Sequence, residues 1–193
     1  LDALSPDSDV QDVVIMAAAQ VLKTEVVLNW AFSVIDQDPA SMLIVQPTEK
    51  AVKDFVSQRL DPAIDAMPRI RQKVPPARRR DSGNRITEKN YPGGVLYLGW
   101  ANSPSELASK PIKYLALDEV DRYPVSLKDE GSPVKLAEQR TANFPRRKIL
   151  KTSTPKIRGA SVITDEYEIS SMAQFWVPCP HCGEHQVLEF PHL

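Results

Sequence analysis

Two periods of apolar residues alternate along this chain. Short apolar runs occur at residues 12–19 (DVVIMAAA), 41–47 (SMLIVQP) and 113–118 (KYLALD), and a fourth, with a hydroxyl-rich tail, at 147–155 (RKILKTSTP). Runs of this length suit strands covered on both faces. Between the first two, apolar positions change to helical spacing, as Val27, Trp30, Ala31 and Val34 do within residues 24–36. A second helix is predicted over residues 48–67, capped by Thr48 and kinked or divided at Pro62. Residues 85–100 (RITEKNYPGGVLYLGW) predict a hairpin turned at Pro92-Gly93-Gly94. A short helix capped by Ser103 and another over 133–144 follow, and QFWVPC at 174–179 opens a last β-rich piece. RIRQKVPPARRR, at 69–80, reads as a basic, proline-rich loop.

Apolar strands alternating with helices imply an α/β fold, a mainly parallel sheet with helices on both faces. In such sheets ligands sit beyond the carboxyl ends of the strands. With 193 residues, 42% hydrophobic and 25% charged, the chain suits one large domain and a small appendage. Lys+Arg 24 against Asp+Glu 25 does not describe a general nucleic-acid binder. The charge is unevenly spread, from the acidic opening LDALSPDSDVQD to the basic run at 69–80. No apolar run approaches the roughly 20 residues that span a bilayer, and no secretory signal pattern opens the chain. A first residue other than Met and an end at PHL read as part of a longer protein.

The residues with chemistry to offer fall at the predicted strand ends. After the first strand, AAAQVLKTE (residues 17–25) places Lys23-Thr24 at a strand-to-helix junction. A P-loop there puts its lysine on the β/γ-phosphates and its hydroxyl on magnesium, while loop amides cradle the phosphates. The pattern G-x-x-x-x-G-K-[ST] has glycines where this chain has Ala17 and Leu22. Leu22 matters more, because glycine before the lysine serves a backbone shape that a branched side chain resists. A strand-to-helix turn with a surface lysine is the plain alternative.

KYLALDEVDRYP (residues 113–124) runs a greasy strand into Asp118, Glu119 and Asp121. Carboxylates this close repel one another, so open water or a cation has to meet them. In a nucleotide site Asp118 would hold Mg²⁺ through water and Glu119 would activate the attacking water as general base. A solvated acidic turn is the alternative, and the KT turn upstream weighs against it. Asp121 is expected to orient local structure or a basic partner. At the fourth strand end, Thr152, Ser153 and Thr154 are candidate γ-phosphate sensors, although hydroxyls before proline are also ordinary turn chemistry.

The segments VVIMAAAQVLKTEVVLNW, LIVQPTEKAVKDF, YPGGVLYLGWANSPSELASKPIKYLALDEVDRYP, EGSPVKLAEQRT, LKTSTPKIRGAS and VPCPHCGEHQVLEF follow in this order. Together they resemble the ATPase part of the phage terminase large subunit of the lambda, or GpA, type. The likeness covers nearly the whole chain, and DEVDRYP, STP and VPCPHCG are its most specific parts. It implies a P-loop NTPase fold of the RecA/ASCE kind over residues 1–170. Residues 171–193 would then begin a CxxC-containing β-rich connection toward a nuclease domain absent here.

The same resemblance implies an ATP hydrolase that drives packaging of double-stranded DNA into capsids, with ATP and Mg²⁺ as cofactors. Its implied partners are DNA, a terminase small subunit and a portal protein. It implies a homo-oligomer in the assembled motor, a monomer as this fragment, and a location in the host cytoplasm. Carried over residue by residue, Lys23 and Thr24 are the Walker A pair, within a nucleotide-binding stretch of Gln20, Val21, Leu22 and Glu25. Asp118 and Glu119 are the Walker B pair, and Ser153-Thr154 the coupling motif. Thr24 and Asp118 would bind Mg²⁺, and Lys23 and Glu119 would act in catalysis. Ala17 departs from the family, where a lysine or other polar residue is usual, and Leu22 from its usual glycine.

Two further functions compete. One is a helicase-like DNA-dependent ATPase, since DEVD resembles a DExD box, although the chain has only one such core. The other is a degenerate P-loop kept as an assembly or DNA-docking module, a reading that Leu22 keeps in play. Arg140, with Arg146 and Arg147, is a candidate for the arginine that neutralises charge at the γ-phosphate. The basic run at 69–80 is either a solvated loop or a sequence-independent contact to DNA phosphates. Cys179 and Cys182 in CPHC read as half a metal site or a redox pair. Structural zinc wants four ligands, so the second pair is expected past Leu193, with His181, His185 and His192 read as exposed side chains.

Overall fold

The computed structural model describes residues 2–75, 86–127, 130–157 and 159–187. Six strands form one sheet: β1 (Asp12–Met16), β2 (Met42–Gln46), β3 (Glu88–Tyr91), β4 (Gly94–Trp100), β5 (Tyr114–Asp118) and β6 (Lys148–Ser153). Their order is β1-β6-β5-β2-β4-β3. All neighbours run parallel except β3 and β4, which make an antiparallel hairpin closed at Tyr91 and Gly94. Gly93 turns that hairpin with φ 91°, and a Cβ there would lie 2.8 Å from the Cβ of Pro39. Only glycine tolerates both the angle and the approach.

β2 and β5 lie inside the sheet and are buried at every residue. Strand residues alternate between two apolar layers, as a sheet covered on both faces requires. Ile44, Ala116 and Leu150 face α1 (Lys23–Gln37), α2 (Glu49–Phe55), α3 (Asp61–Ala66) and α4 (Pro68–Lys73). Leu43, Leu115 and Ile149 face α5 (Pro104–Ala108), α6 (Pro133–Glu138) and α7 (Val162–Glu168). The predicted inner face of α1 is the observed one, with Val27, Trp30, Ala31 and Val34 all buried.

The structure departs from the sequence reading in several places, each for a local reason. β1 is only half-buried, because among the described residues it pairs with β6 alone and forms the sheet edge. It also stops at Met16, which leaves residues 17–22 as a loop. The second helix changes its hydrogen bonding just before Pro62: a π-helical turn at Val56–Leu60 joins α2 to α3, and Pro62 falls in the first turn of α3. The break comes at Met67, whose extended backbone precedes Pro68. Residues 68–73 are therefore helix rather than loop, and residues 76–80 of the basic run lie outside the described residues. The helix expected over 133–144 ends at Glu138 and continues as a 3-10 turn, Gln139–Thr141. α7, not expected, is held at its start by side-chain caps rather than by an apolar stripe. β7 (Trp176–Pro178) and β8 (His185–Val187) pair with each other in a separate two-stranded sheet.

Candidate functional site

Parallel register brings the carboxyl ends of three strands to one crevice, with Met16 beside Ser153 and Asp118 beside Thr152. The loop after β1 starts with the Ala17 amide donating to the Ser153 carbonyl at 3.1 Å. It then wraps round Lys23, which is only 6% exposed. The ammonium of Lys23 donates to the carbonyls of Ala17 (3.3 Å) and Ala18 (2.5 Å) and to Thr154 Oγ1 (2.9 Å). Gln20 and Leu22 hold left-handed backbones, φ 62° and 58°. Leu22 thus takes the shape that glycine would take, with its side chain 72% exposed. The loop conformation survives the substitution, at a backbone cost of about 1–2 kcal/mol. Val21 is exposed beside it, and Glu25, in the first turn of α1, pairs with Arg59 at 3.1 Å.

Asp118 closes β5 and is 2% exposed. Thr152 donates to its Oδ1 at 2.6 Å, while Gln46 (3.1 Å) and Thr24 (3.4 Å) donate to its Oδ2. These donors are all neutral, and among the described residues no cationic side chain pairs with Asp118. A buried carboxylate met only by neutral donors, with a hydroxyl beside it, offers the oxygen ligands that a hard divalent cation takes. The donor set therefore fits Mg²⁺. Tyr123 lies close by, its phenol donating to the Val45 carbonyl at 2.8 Å. Burial first, then the charge of Asp118, pushes that phenol far up, so it stays a neutral wall.

Glu119 follows with φ 60°, a left-handed turn that ends the strand sharply. A 3-10 turn then folds Arg122 back onto the Glu119 carboxylate at 2.9 Å. Asp121 serves local structure: its carboxylate accepts the amides of Lys156 (3.0 Å) and Ile163 (2.9 Å), tying this turn to the start of α7. Its own amide donates to Ser153 Oγ at 3.2 Å. Thr152 and Ser153 are fully buried and occupied within the protein, so of the three candidate hydroxyls Thr154 is the one facing the lysine.

The arginines proposed from sequence are not brought to this crevice. Arg140 donates to the Ala108 carbonyl at 2.7 Å and receives the Ile112 amide, before β5 begins. Arg146 and Arg147 immediately precede β6. All three lie at the amino end of the sheet, the full length of a strand from Asp118. Two arginines that sequence reasoning passed over lie at the correct end, Arg59 beside the first turn of α1 and Arg122 on Glu119. The i,i+3 spacing of Glu119 and Arg122 was a signal open to inspection, whereas the approach of Arg59 is purely tertiary. Gln46 was also missed, because nothing local marks a strand-ending glutamine.

Cys179 and Cys182 sit on the loop between β7 and β8, where the Cys179 amide donates to Glu184 and the Gly183 amide to Cys179. Hydrogen bonds from the amides of Cys182 and then His181 hold the Cys179 thiol below its ordinary range. His181 and His185 are exposed. Among the described residues no three His, Cys, Asp or Glu side chains gather as a metal site, and His192 lies outside them.

Known proteins resemble this chain in sequence and in fold. The family model described as phage terminase large subunit gpA, ATPase domain, matches residues 1–193. The terminase large subunit of Enterobacteria phage P21 is 30% identical over 184 residues, 94% of this chain and 28% of that protein. That of Escherichia phage lambda is 27% identical over the same shares. The chain thus spans 28% of the length of these curated relatives. Among solved structures, a mutant of the large terminase ATPase domain of Thermus phage P74-26 superposes with a TM-score of 0.61 at 20% identity, covering 92% of this chain and 72% of that one. The large terminase of a thermophilic bacteriophage, solved in complex with ADP, gives a TM-score of 0.53 at 14% identity, over 89% and 46% of the two chains. At these identities the structures attest the fold.

Proposed function

The chain belongs to the phage terminase large subunit gpA ATPase-domain family, and from that premise we propose that it hydrolyses ATP to drive double-stranded DNA into capsids. One observation carries the reading: Lys23, Thr24, Asp118 and Thr154 meet beyond the carboxyl ends of adjacent parallel strands. A large terminase of similar fold, solved in complex with ADP, supports a nucleotide as the ligand. The helicase-like reading gives way to the family match.

In this reading Lys23 exchanges the Ala17 and Ala18 carbonyls for β/γ-phosphate oxygens. Thr24 and Asp118 would hold the magnesium ion, which offsets phosphate charge when bound. Glu119 takes the proton of the water that attacks the γ-phosphorus, while the bond to the leaving ADP oxygen breaks and inorganic phosphate departs. Arg122 occupies one oxygen of that carboxylate and leaves the other oxygen to accept the proton. Arg59 and Arg122 are two cationic side chains at hand for charge on the phosphates. Arg140, at the other end of the sheet, would have to act on a neighbouring subunit's nucleotide.

The proposed setting is the host cytoplasm, with a terminase small subunit, a portal protein and further copies of the chain as partners. Cys179 and Cys182 would supply two of the four ligands of a zinc site. A second reading, a docking module without turnover, is favoured by Ala17 and Leu22. Titration of the protein with Mg-ATP, followed by a phosphate-release assay, separates the two. Saturable binding with phosphate release supports the motor; no binding at millimolar ATP overturns it.

A further inference from the structure

β2 is apolar until its last residue, Gln46, which is 6% exposed. A polar side chain in such a place needs a partner. Sheet order supplies one. β2 lies beside β5 in the register Val45–Leu117, and β5 beside β6 in the register Asp118–Thr152. Gln46, Asp118 and Thr152 therefore form a row across three adjacent strand ends. Gln46 Nε2 donates to Asp118 Oδ2 at 3.1 Å, and Thr152 Oγ1 to Oδ1 at 2.6 Å. A carboxylate only accepts, so the amide nitrogen must be the group that faces it.

We propose that Gln46 is a positioning residue for the metal carboxylate: it holds Oδ2 of Asp118 in the orientation that receives the cation of Mg-ATP. This rests on the reading that Asp118 binds that cation. Thr152 alone fixes one oxygen and leaves the carboxylate free to pivot about it. Thr24, at 3.4 Å, is too distant to hold the second oxygen firmly. Gln46 stops the pivot from a buried strand, without adding charge that would compete for the metal. Partners of this kind govern metal affinity through the ligand that they orient.

The test uses Mn²⁺ with a non-hydrolysable ATP analogue, reading protein-bound Mn²⁺ by electron paramagnetic resonance in wild type, Gln46→Met and Gln46→Asn. Met keeps the volume and loses the donor, while Asn keeps the amide and falls short of the carboxylate, so it serves should Met fail to fold. The expected result is a ten- to hundredfold weaker Mn²⁺ affinity, with analogue affinity in EDTA and thermal midpoint close to wild type. Equal Mn²⁺ affinity in wild type and variants overturns the proposal and leaves the role of Asp118 standing. A parallel fall in EDTA-measured affinity and thermal midpoint also overturns it, marking Gln46 as merely structural. Wild type with no bound Mn²⁺ beside the analogue removes the underlying reading and the proposal together.

Discussion

Lys23 and Thr154, 131 residues apart in sequence, meet at 2.9 Å across the crevice. The contact links the loop after β1 to the segment leaving β6, so the lysine and the hydroxyl respond to the same occupant. The bond is charge-assisted and worth about 1.5–3 kcal/mol. Thr154→Val is expected to lower turnover roughly tenfold or more while changing ATP affinity less, since the Lys23 ammonium still reaches the phosphates. Steady-state kinetics beside a direct titration check this. An equal loss in both would mean that the loop had collapsed.

Glu119→Gln should abolish turnover and spare ATP binding, because the amide keeps the shape but cannot accept the proton of water. Turnover at the wild-type rate would place the base elsewhere. Arg122→Gln probes the same carboxylate from the other side. Both partners are partly solvent-exposed, 59% and 27%, and such pairs contribute about 0.2–1 kcal/mol. Freeing Glu119 should therefore raise basal turnover by no more than about fivefold, measured by phosphate release. A large loss instead would show that Arg122 itself contacts the phosphates.

Leu22→Gly relieves a left-handed backbone costing about 1–2 kcal/mol. The side chain already points to solvent, so steric relief adds little. Because the loop holds that shape without nucleotide, the relief should appear as a gain in stability of about 1 kcal/mol, measured by urea unfolding, with Mg-ATP affinity close to wild type by titration. A markedly tighter affinity in Leu22→Gly would show that the loop has to move on binding.

Lys151 on β6 is buried between Glu138 and Glu166, 2.6 Å from each. Lys151→Met leaves two half-buried carboxylates without the shared cation, Glu138 keeping only Lys135 at 3.4 Å, which costs about 3 kcal/mol, the low end for a buried pair, measured by urea unfolding. Burial pulls the lysine down, but the two carboxylates outweigh it and hold the ammonium above its ordinary value. With the folded value raised, the stabilisation is complete below the unfolded value, about 10.4, and is lost as pH rises through the folded one. The gap between wild type and Lys151→Met should stay flat through neutral pH and narrow only in strong alkali. A gap that widens there would refute the pair as its source.

Much of this protein was legible along the chain. Runs of apolar residues short enough for strands, and apolar positions at helical spacing, are local signals, so β1, β2, β5, β6, the β3–β4 hairpin and α1 were all readable. That Lys23, Thr24, Asp118 and Glu119 fall at one end of the sheet was readable too, because each follows a strand in sequence. The misreadings were contests between local signals. Pro62 looked like a break, yet the chain stays helical through it, with a π-helical turn before it and the proline in the first turn of α3. Leu22 looked incompatible with its loop, yet a left-handed leucine is only expensive, and the neighbouring contacts of Lys23 meet that expense.

Strand order lay beyond any local signal. The chain specifies that β2 ends in Gln46 and β5 in Asp118, but their hydrogen bond exists because those strands are neighbours in parallel register. The same order decides direction: Asp118 leaves its strand at one end of the sheet, while Arg140 anchors the other. Pairing of this kind is settled by which faces bury together across tens of residues, a free energy of the whole assembled core that no stretch of sequence carries by itself.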